Sequence, residues 1–174
     1  EKNNINESGD DIFKFDDQII TTNNYTIKTT KNRVTKIISP IYRSGSTIRS
    51  KLNPSIIFTS NSAVGLLAHQ YKNGVWKQLL LNNKDTVTSG NVTEFSPGVL
   101  ILETRKGLVK YQYNNEGQGV YTKIGIDKSF TTNGRLFSRV INGNQNLFID
   151  SLNNFYTLDV VKNKVVKGVN FKNV

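Results

Sequence analysis

Apolar residues along the chain fall into short solid runs or strict alternations, each bounded by Asn and Gly clusters. Residues 99–124 show the plan most clearly. Val99 to Leu102 is wholly apolar, a turn at Arg105, Lys106 and Gly107 follows, and Leu108 to Tyr113 is rich in the aromatic and β-branched residues that strands favour. Asn114, Asn115, Glu116 and Gly117 supply turn chemistry, because Asn and Gly tolerate positive φ at little cost. Val120 to Ile124 completes a three-strand meander. A lone meander is marginal in water, so this one requires neighbours over its apolar face.

Those neighbours are internal repeats. Upstream, Ile56 to Thr59, Gly65 to Tyr71 and Val75 to Leu79 repeat the order; downstream, Asn146 to Asp150, Phe155 to Leu158 and Val165 to Val169 do so again. A fainter copy runs through Asp17 to Ile20, Tyr25 to Ile27 and Val34 to Ile37. The valines that open each final strand, Val34, Val75, Val120 and Val165, are spaced by 41, 45 and 45 residues. The pattern predicts an all-β, propeller-like array of about four antiparallel repeats of three to four strands, with Ile57, Leu67, Leu100, Val109, Phe148 and Tyr156 on the core face. A β-trefoil, with three repeats of similar length, is the alternative. A third arrangement is an open array that closes by oligomerising or through a missing segment.

Composition agrees with many short strands. Among 174 residues there are 23 asparagines and 13 glycines but only two alanines, Ala63 and Ala68. The length suits one domain, 16–174, preceded by an Asn-rich acidic stretch, 1–15, that reads as a flexible arm. The chain opens on Glu1 without Met or a leader, which suggests a processed or trimmed segment, and no apolar run reaches the roughly 18 residues of a membrane span.

Charge is unevenly placed. The net of +10 combines an acidic start with a span from Gln18 to Lys84 that holds ten cations and no carboxylate. Such a span attracts anionic polymers, and Arg43, Arg49 and Lys51, in what reads as a Ser/Gly-rich loop between repeats, are the residues placed to meet one. Equally, lysines along strands discourage edge-to-edge aggregation.

Catalytic chemistry is hard to assemble from this chain. It has no cysteine and a single histidine, so thiolate and multi-His metal sites are out of reach. That histidine, His69, sits between Ala68 and Gln70 in the middle strand of the second copy, where it reads as a core or surface imidazole and not as the base of a triad. The carboxylates are scattered singly. No phosphate-binding Gly-rich motif or calcium loop is present. The expectation is a binding protein with no cofactor, no metal and no catalytic residue.

The order Gly107 to Tyr113, Lys123-Ile-Gly125, Leu136 to Gly143 and Asn146 to Tyr156 resembles the blade pattern of tachylectin-type and tectonin-type β-propellers, and Gly65 to Trp76 repeats its end. That resemblance, one of layout with a single Trp and four copies, implies a lectin with sites between blades. Separately from it, sugar sites combine an aromatic face with amides on loops, and Tyr71, Trp76, Tyr113, Tyr121 and Asn114 flank Asn/Gly turns in two consecutive copies. The same aromatics would serve equally as packing between repeats. Trp76 stands out as a platform, because its equivalents are Tyr121, Val166 and Thr35 and no uniform core dictates such a set; an extra residue between Lys77 and Leu79 blurs the alternation around it. The functional expectation is a non-enzymatic recognition module on a secreted or cell-surface protein, most simply carbohydrate-binding. Its alternatives are a protein-interaction or assembly module, or an electrostatic binder of anionic polymers, with a homo-oligomer as one way to close the array.

Overall fold

The computed structural model describes residues 11–15, 18–22, 26–31, 34–40, 44–61, 64–81, 89–104, 107–126, 137–141, 145–149 and 155–167. They form four sheets, each built on an antiparallel four-strand meander in chain order. The first is β1 (Asp11–Phe15), β2 (Gln18–Thr22), β3 (Thr26–Lys31) and β4 (Val34–Pro40). The second is β5 (Ser44–Arg49), β6 (Ile56–Asn61), β7 (Gly65–Lys72) and β8 (Val75–Leu79). The third is β9 (Ser89–Ser96), β10 (Val99–Thr104), β11 (Gly107–Tyr113) and β12 (Gly119–Lys123). In the fourth, β13 (Gly125–Ile126) joins β14 (Phe137–Ile141), β15 (Gln145–Ile149), β16 (Phe155–Asp159) and β17 (Lys164–Lys167), pairing parallel with the outer strand β17.

Three seams hold the sheets face to face in a row, and period-two alternation assigns each residue to a seam. Phe15 and Ile20 of the first sheet pack with Ile57 of the second, flanked by Phe13, Leu67, Tyr71 and Trp76. The other face of the second sheet, with Ile56, Phe58, Leu66 and Ala68, meets Val92, Leu100, Leu102, Tyr111 and Tyr113 of the third. Ile101, Leu108 and Ile124 on the third sheet's far side meet Tyr156, Leu158 and Val165 of the fourth. Inner sheets are therefore buried on both faces, which is why all six residues of β6 are buried. Innermost strands adjoin, β1 with β5 and β5 with β9. Ser46 of β5 stitches the second pair together: its Oγ accepts from Val92 N at 2.7 Å and donates to Val92 O at 3.2 Å. Among the described residues no core cluster joins the first sheet to the fourth, so the propeller-like row is not closed.

The four-repeat expectation holds, and the three-repeat trefoil does not form. Several details differ from the reading of the sequence. Asp11–Phe15, assigned to the flexible arm, is the innermost strand of the first sheet, paired with β2 from Asp11 opposite Thr22 to Phe15 opposite Gln18. Each repeat has four strands. The strand missed in the second and third copies is the innermost, β5 and β9, where bulges between Ser44 and Thr47 and beside Val99 and Leu102 break the alternation that identifies a strand. Arg49 consequently ends a strand instead of lying in a loop. Strand β8 runs without a bulge, Tyr71 opposite Trp76 through Ala68 opposite Leu79, so no extra residue interrupts it. Of the expected core, Ile57, Leu100 and Tyr156 are buried, Leu67 and Val109 are half-buried at cluster margins, and the side chain of Phe148 is outside what is described.

Candidate recognition surface

Antiparallel connectivity puts the β5–β6 loop (50–55) and the β7–β8 turn (73–74) at one edge of the second sheet, and the β9–β10 turn (97–98) and the β11–β12 turn (114–118) at one edge of the third. Hydrogen bonds from Lys51 N to Glu94 and from Asn53 to Asn115 set these edges side by side as one loop end. Sequence chemistry fixes their shapes. Asn73 (φ 53°) and Gly74 (φ 77°) form a two-residue turn of the primed kind whose twist suits a hairpin. Asn114 Oδ1 accepts from the backbone N–H groups of Glu116 at 3.1 Å and Gln118 at 3.0 Å. Asn53 Oδ1 accepts from Ser55 N at 3.0 Å and Ser55 Oγ at 2.7 Å, while Asn53 Nδ2 donates across the seam to Asn115 O at 2.7 Å.

Beneath these loops lies a buried acid, one of the carboxylates that stand singly in the sequence. Glu94 of β9 accepts from Tyr113 Oη at 2.5 Å and Gly98 N at 3.3 Å through Oε1, and from Lys51 N at 2.6 Å through Oε2. Because the Tyr113 hydroxyl donates its one hydrogen bond to the carboxylate, Ser50 Oγ donates to Tyr113 Oη at 2.7 Å, and Ser50 in turn accepts from Asn53 N. One carboxylate thus clamps a loop of the second sheet to a turn and two strands of the third. Burial, reinforced by the bond to Glu94, pushes the Tyr113 hydroxyl above its usual range and keeps it a donor.

The sequence-predicted ligand residues divide between two seams. Tyr113 is 5% exposed, with its hydroxyl engaged below the surface. Tyr121 pairs with Tyr111 across β11 and β12, ring centroids 4.5 Å apart, and helps cover the second seam. Burial pushes Tyr111 up to about 12, and its hydroxyl donates to Gly117 O; burial also raises Tyr121. Asn114 is exposed, its side-chain oxygen occupied by its own turn. In the first seam, Tyr71 and Trp76 are half-buried neighbours, centroids 5.1 Å apart, with Phe15 edge-on to Trp76 at 4.9 Å. The Gln18 side chain spans them, donating to Tyr71 Oη at 3.0 Å and accepting from Trp76 Nε1 at 3.3 Å. Trp76 is therefore tied into a seam between sheets, with part of its surface open.

The cation trio separates too. Arg49 lies over the Phe15 ring at 4.1 Å, and its guanidinium donates to Pro54 O at 2.6 Å and to Lys14 O at 2.9 Å, so it joins the first two sheets. Lys51 is exposed at the loop end, and Arg43 lies outside the described residues. His69 is 1% exposed on the face of β7 that meets the first sheet, between Ile57 and Gln78 in register, and neither ring nitrogen has a hydrogen-bond partner. Burial pulls its pKa down to about 4, so the ring is neutral at pH 7.

No helix among the described residues is long and apolar enough to cross a membrane. No family model matches the chain, and no curated protein matches it. Among solved structures, the N-terminal domain of Nup159 is similar over 90% of this chain and 61% of that one, at 10% identity and a TM-score of 0.38. The chain thus spans less than two thirds of that structure's length. What stands of the tachylectin and tectonin likeness is the layout alone: an all-β array of four antiparallel sheets, propeller-like and open.

Proposed function

We propose that the protein is a non-enzymatic recognition module of a secreted or surface-exposed protein, and that the loop end of its row of sheets docks a protein partner. The observation that carries this reading is the Glu94 clamp. It holds the 50–55 loop, the 97–98 turn and the start of the 114–118 turn in one arrangement, while Lys51, Lys72, Val75, Asn115 and Gln118 are exposed around it. A fixed surface mixing aliphatic, amide and cationic groups binds with little ordering cost. The acid-free span that supplies Lys51 and Lys72 favours an acidic partner surface. His69 is shut inside a seam, and the Glu94 oxygens already serve three donors, so in this reading both act in the frame of the module.

Glycan binding is the second reading, favoured by the half-exposed Tyr71 and Trp76 beside the Gln18 amide. Affinity capture with the purified protein, run beside a glycan array, separates the two. The expected result is a discrete captured protein whose binding falls roughly tenfold in the Lys51→Glu, Lys72→Glu double variant, with a blank array. Array signals competed by free sugar and lost in Trp76→Ala, with no dependence on Lys51 or Lys72, would replace the first reading by the second.

A further inference from the structure

Buried polar side chains normally find partners, and one that does not calls for an explanation. The imidazole of His69 is enclosed in the first seam with both nitrogens unpartnered. Alternation and register fix what surrounds it. On the same face of the second sheet, β6 places Ile57 and β8 places Gln78 directly beside the ring, Tyr71 follows on β7, and Arg49 stands on β5 opposite Ile57. From the first sheet come Phe13 and Phe15 of β1 with Gln18 and Ile20 of β2, and register aligns Thr29 of β3 and Lys36 of β4 with Ile20, with Lys31 two positions from Thr29. The carboxylate position in register with these is Asp11, about 13 Å along β1 from Phe15. The charges nearest the ring are therefore cationic, in keeping with a span from Gln18 to Lys84 that contains no Asp or Glu.

We propose that the first seam is an acid-operated latch: protonation of His69 undocks the first sheet from the second while the second and third seams stay closed. An imidazolium in the closed seam would be a buried charge with no acceptor and with Arg49 on the same face, whereas opening gives it water. The first seam is also the lightest to part. Among the described residues it buries three apolar side chains, Phe15, Ile20 and Ile57, against nine in the second. Its polar ties, from Gln18 to Tyr71 and Trp76 and from Arg49 to Lys14 O, run along its margin, where water can replace them. The open form presents Phe15, Ile20 and Ile57, an apolar surface that is hidden at neutral pH.

Hydrogen exchange read by mass spectrometry on the full chain, with intrinsic rates corrected, follows each sheet separately as pH is lowered from 7 to 4. The closed state holds the ring at a pKa of about 4 and the open state at the ordinary 6.5, so closure is favoured above 6.5 and lost progressively below it. Opening of β1 and β2 should rise about tenfold per pH unit and roughly 300-fold in all, while β10 and β11 stay protected. Acrylamide quenching of Trp76, the sole tryptophan and a member of this seam, should increase over the same range. His69→Leu should flatten both responses, and His69→Gln, which does not titrate, serves where the leucine variant fails to fold. Exchange that rises together in β1–β2 and β10–β11 would be global acid unfolding and overturns the proposal. So does exchange of β1–β2 that ignores pH, and so does an acid response that survives in a folded His69 variant, which would put the proton on a carboxylate instead.

Discussion

The first and second seams use the same alternation and similar aromatic content, yet they treat polar groups in opposite ways. In the second seam the buried carboxylate of Glu94 is met by Tyr113, Lys51 N and Gly98 N, and Tyr113 is met again by Ser50. In the first, Gln18 serves Tyr71 and Trp76 at the margin, but His69 is enclosed beside Ile57 with both nitrogens unpartnered. A satisfied buried network fixes one arrangement of the sheets, while an unpartnered polar group stores a cost that conditions can release. The comparison marks the second seam as the rigid frame of the loop end and the first as the seam sensitive to solution conditions.

The largest effect is expected at the clamp. Glu94→Ala removes the acceptor for Tyr113 and for two backbone N–H groups, and should cost about 3 kcal/mol or more in denaturant unfolding. Glu94→Gln keeps the shape and one acceptor oxygen and should cost less. A loss under about 1 kcal/mol for the alanine variant would mean that water takes over the carboxylate's role.

Next comes His69, whose folded pKa of about 4 lies below the ordinary 6.5. The unfolded chain binds the proton first, so stability present above pH 6.5 is lost as pH falls toward 4, by about 3 kcal/mol in all, and no further below that. His69→Leu should remove this component, so the difference between wild type and variant, measured by unfolding at pH 7, 5.5 and 4, widens in the variant's favour as pH drops. A difference independent of pH would show that the imidazole reaches a partner on protonation.

The smallest effect separates two cations that looked alike in sequence. Arg49→Ala removes the ring contact with Phe15 and two carbonyl contacts and should lower stability by about 1 kcal/mol. Lys51→Ala should leave the melting temperature almost unchanged while shifting elution from a heparin-like column to lower salt. The reverse pattern would make Arg49 a surface cation and Lys51 a structural one.

The number and spacing of repeats could be read directly, because the outer three strands of each sheet keep clean runs and Asn/Gly turns, and the valine period counts the sheets. The innermost strands could not. Ser44–Arg49 and Ser89–Ser96 are short on apolar residues and bulged, since strands crowded at the centre of the row pair through groups such as Ser46 rather than through aliphatic faces. Reading one core face per repeat also missed that inner sheets bury both.

Strand and turn identity lie in local sequence, because period two, β-branching and the φ tolerance of Asn and Gly act within a few residues. Which Tyr becomes core and which stays at a margin was decided by tertiary structure alone. Tyr113 and Tyr71 flank equivalent turns, but one meets Glu94 from the innermost strand of its own sheet and the other meets Gln18 from a neighbouring sheet. Burial, and the partners that make it tolerable, depend on what other parts of the chain bring to the same place, and no local pattern around a residue records that.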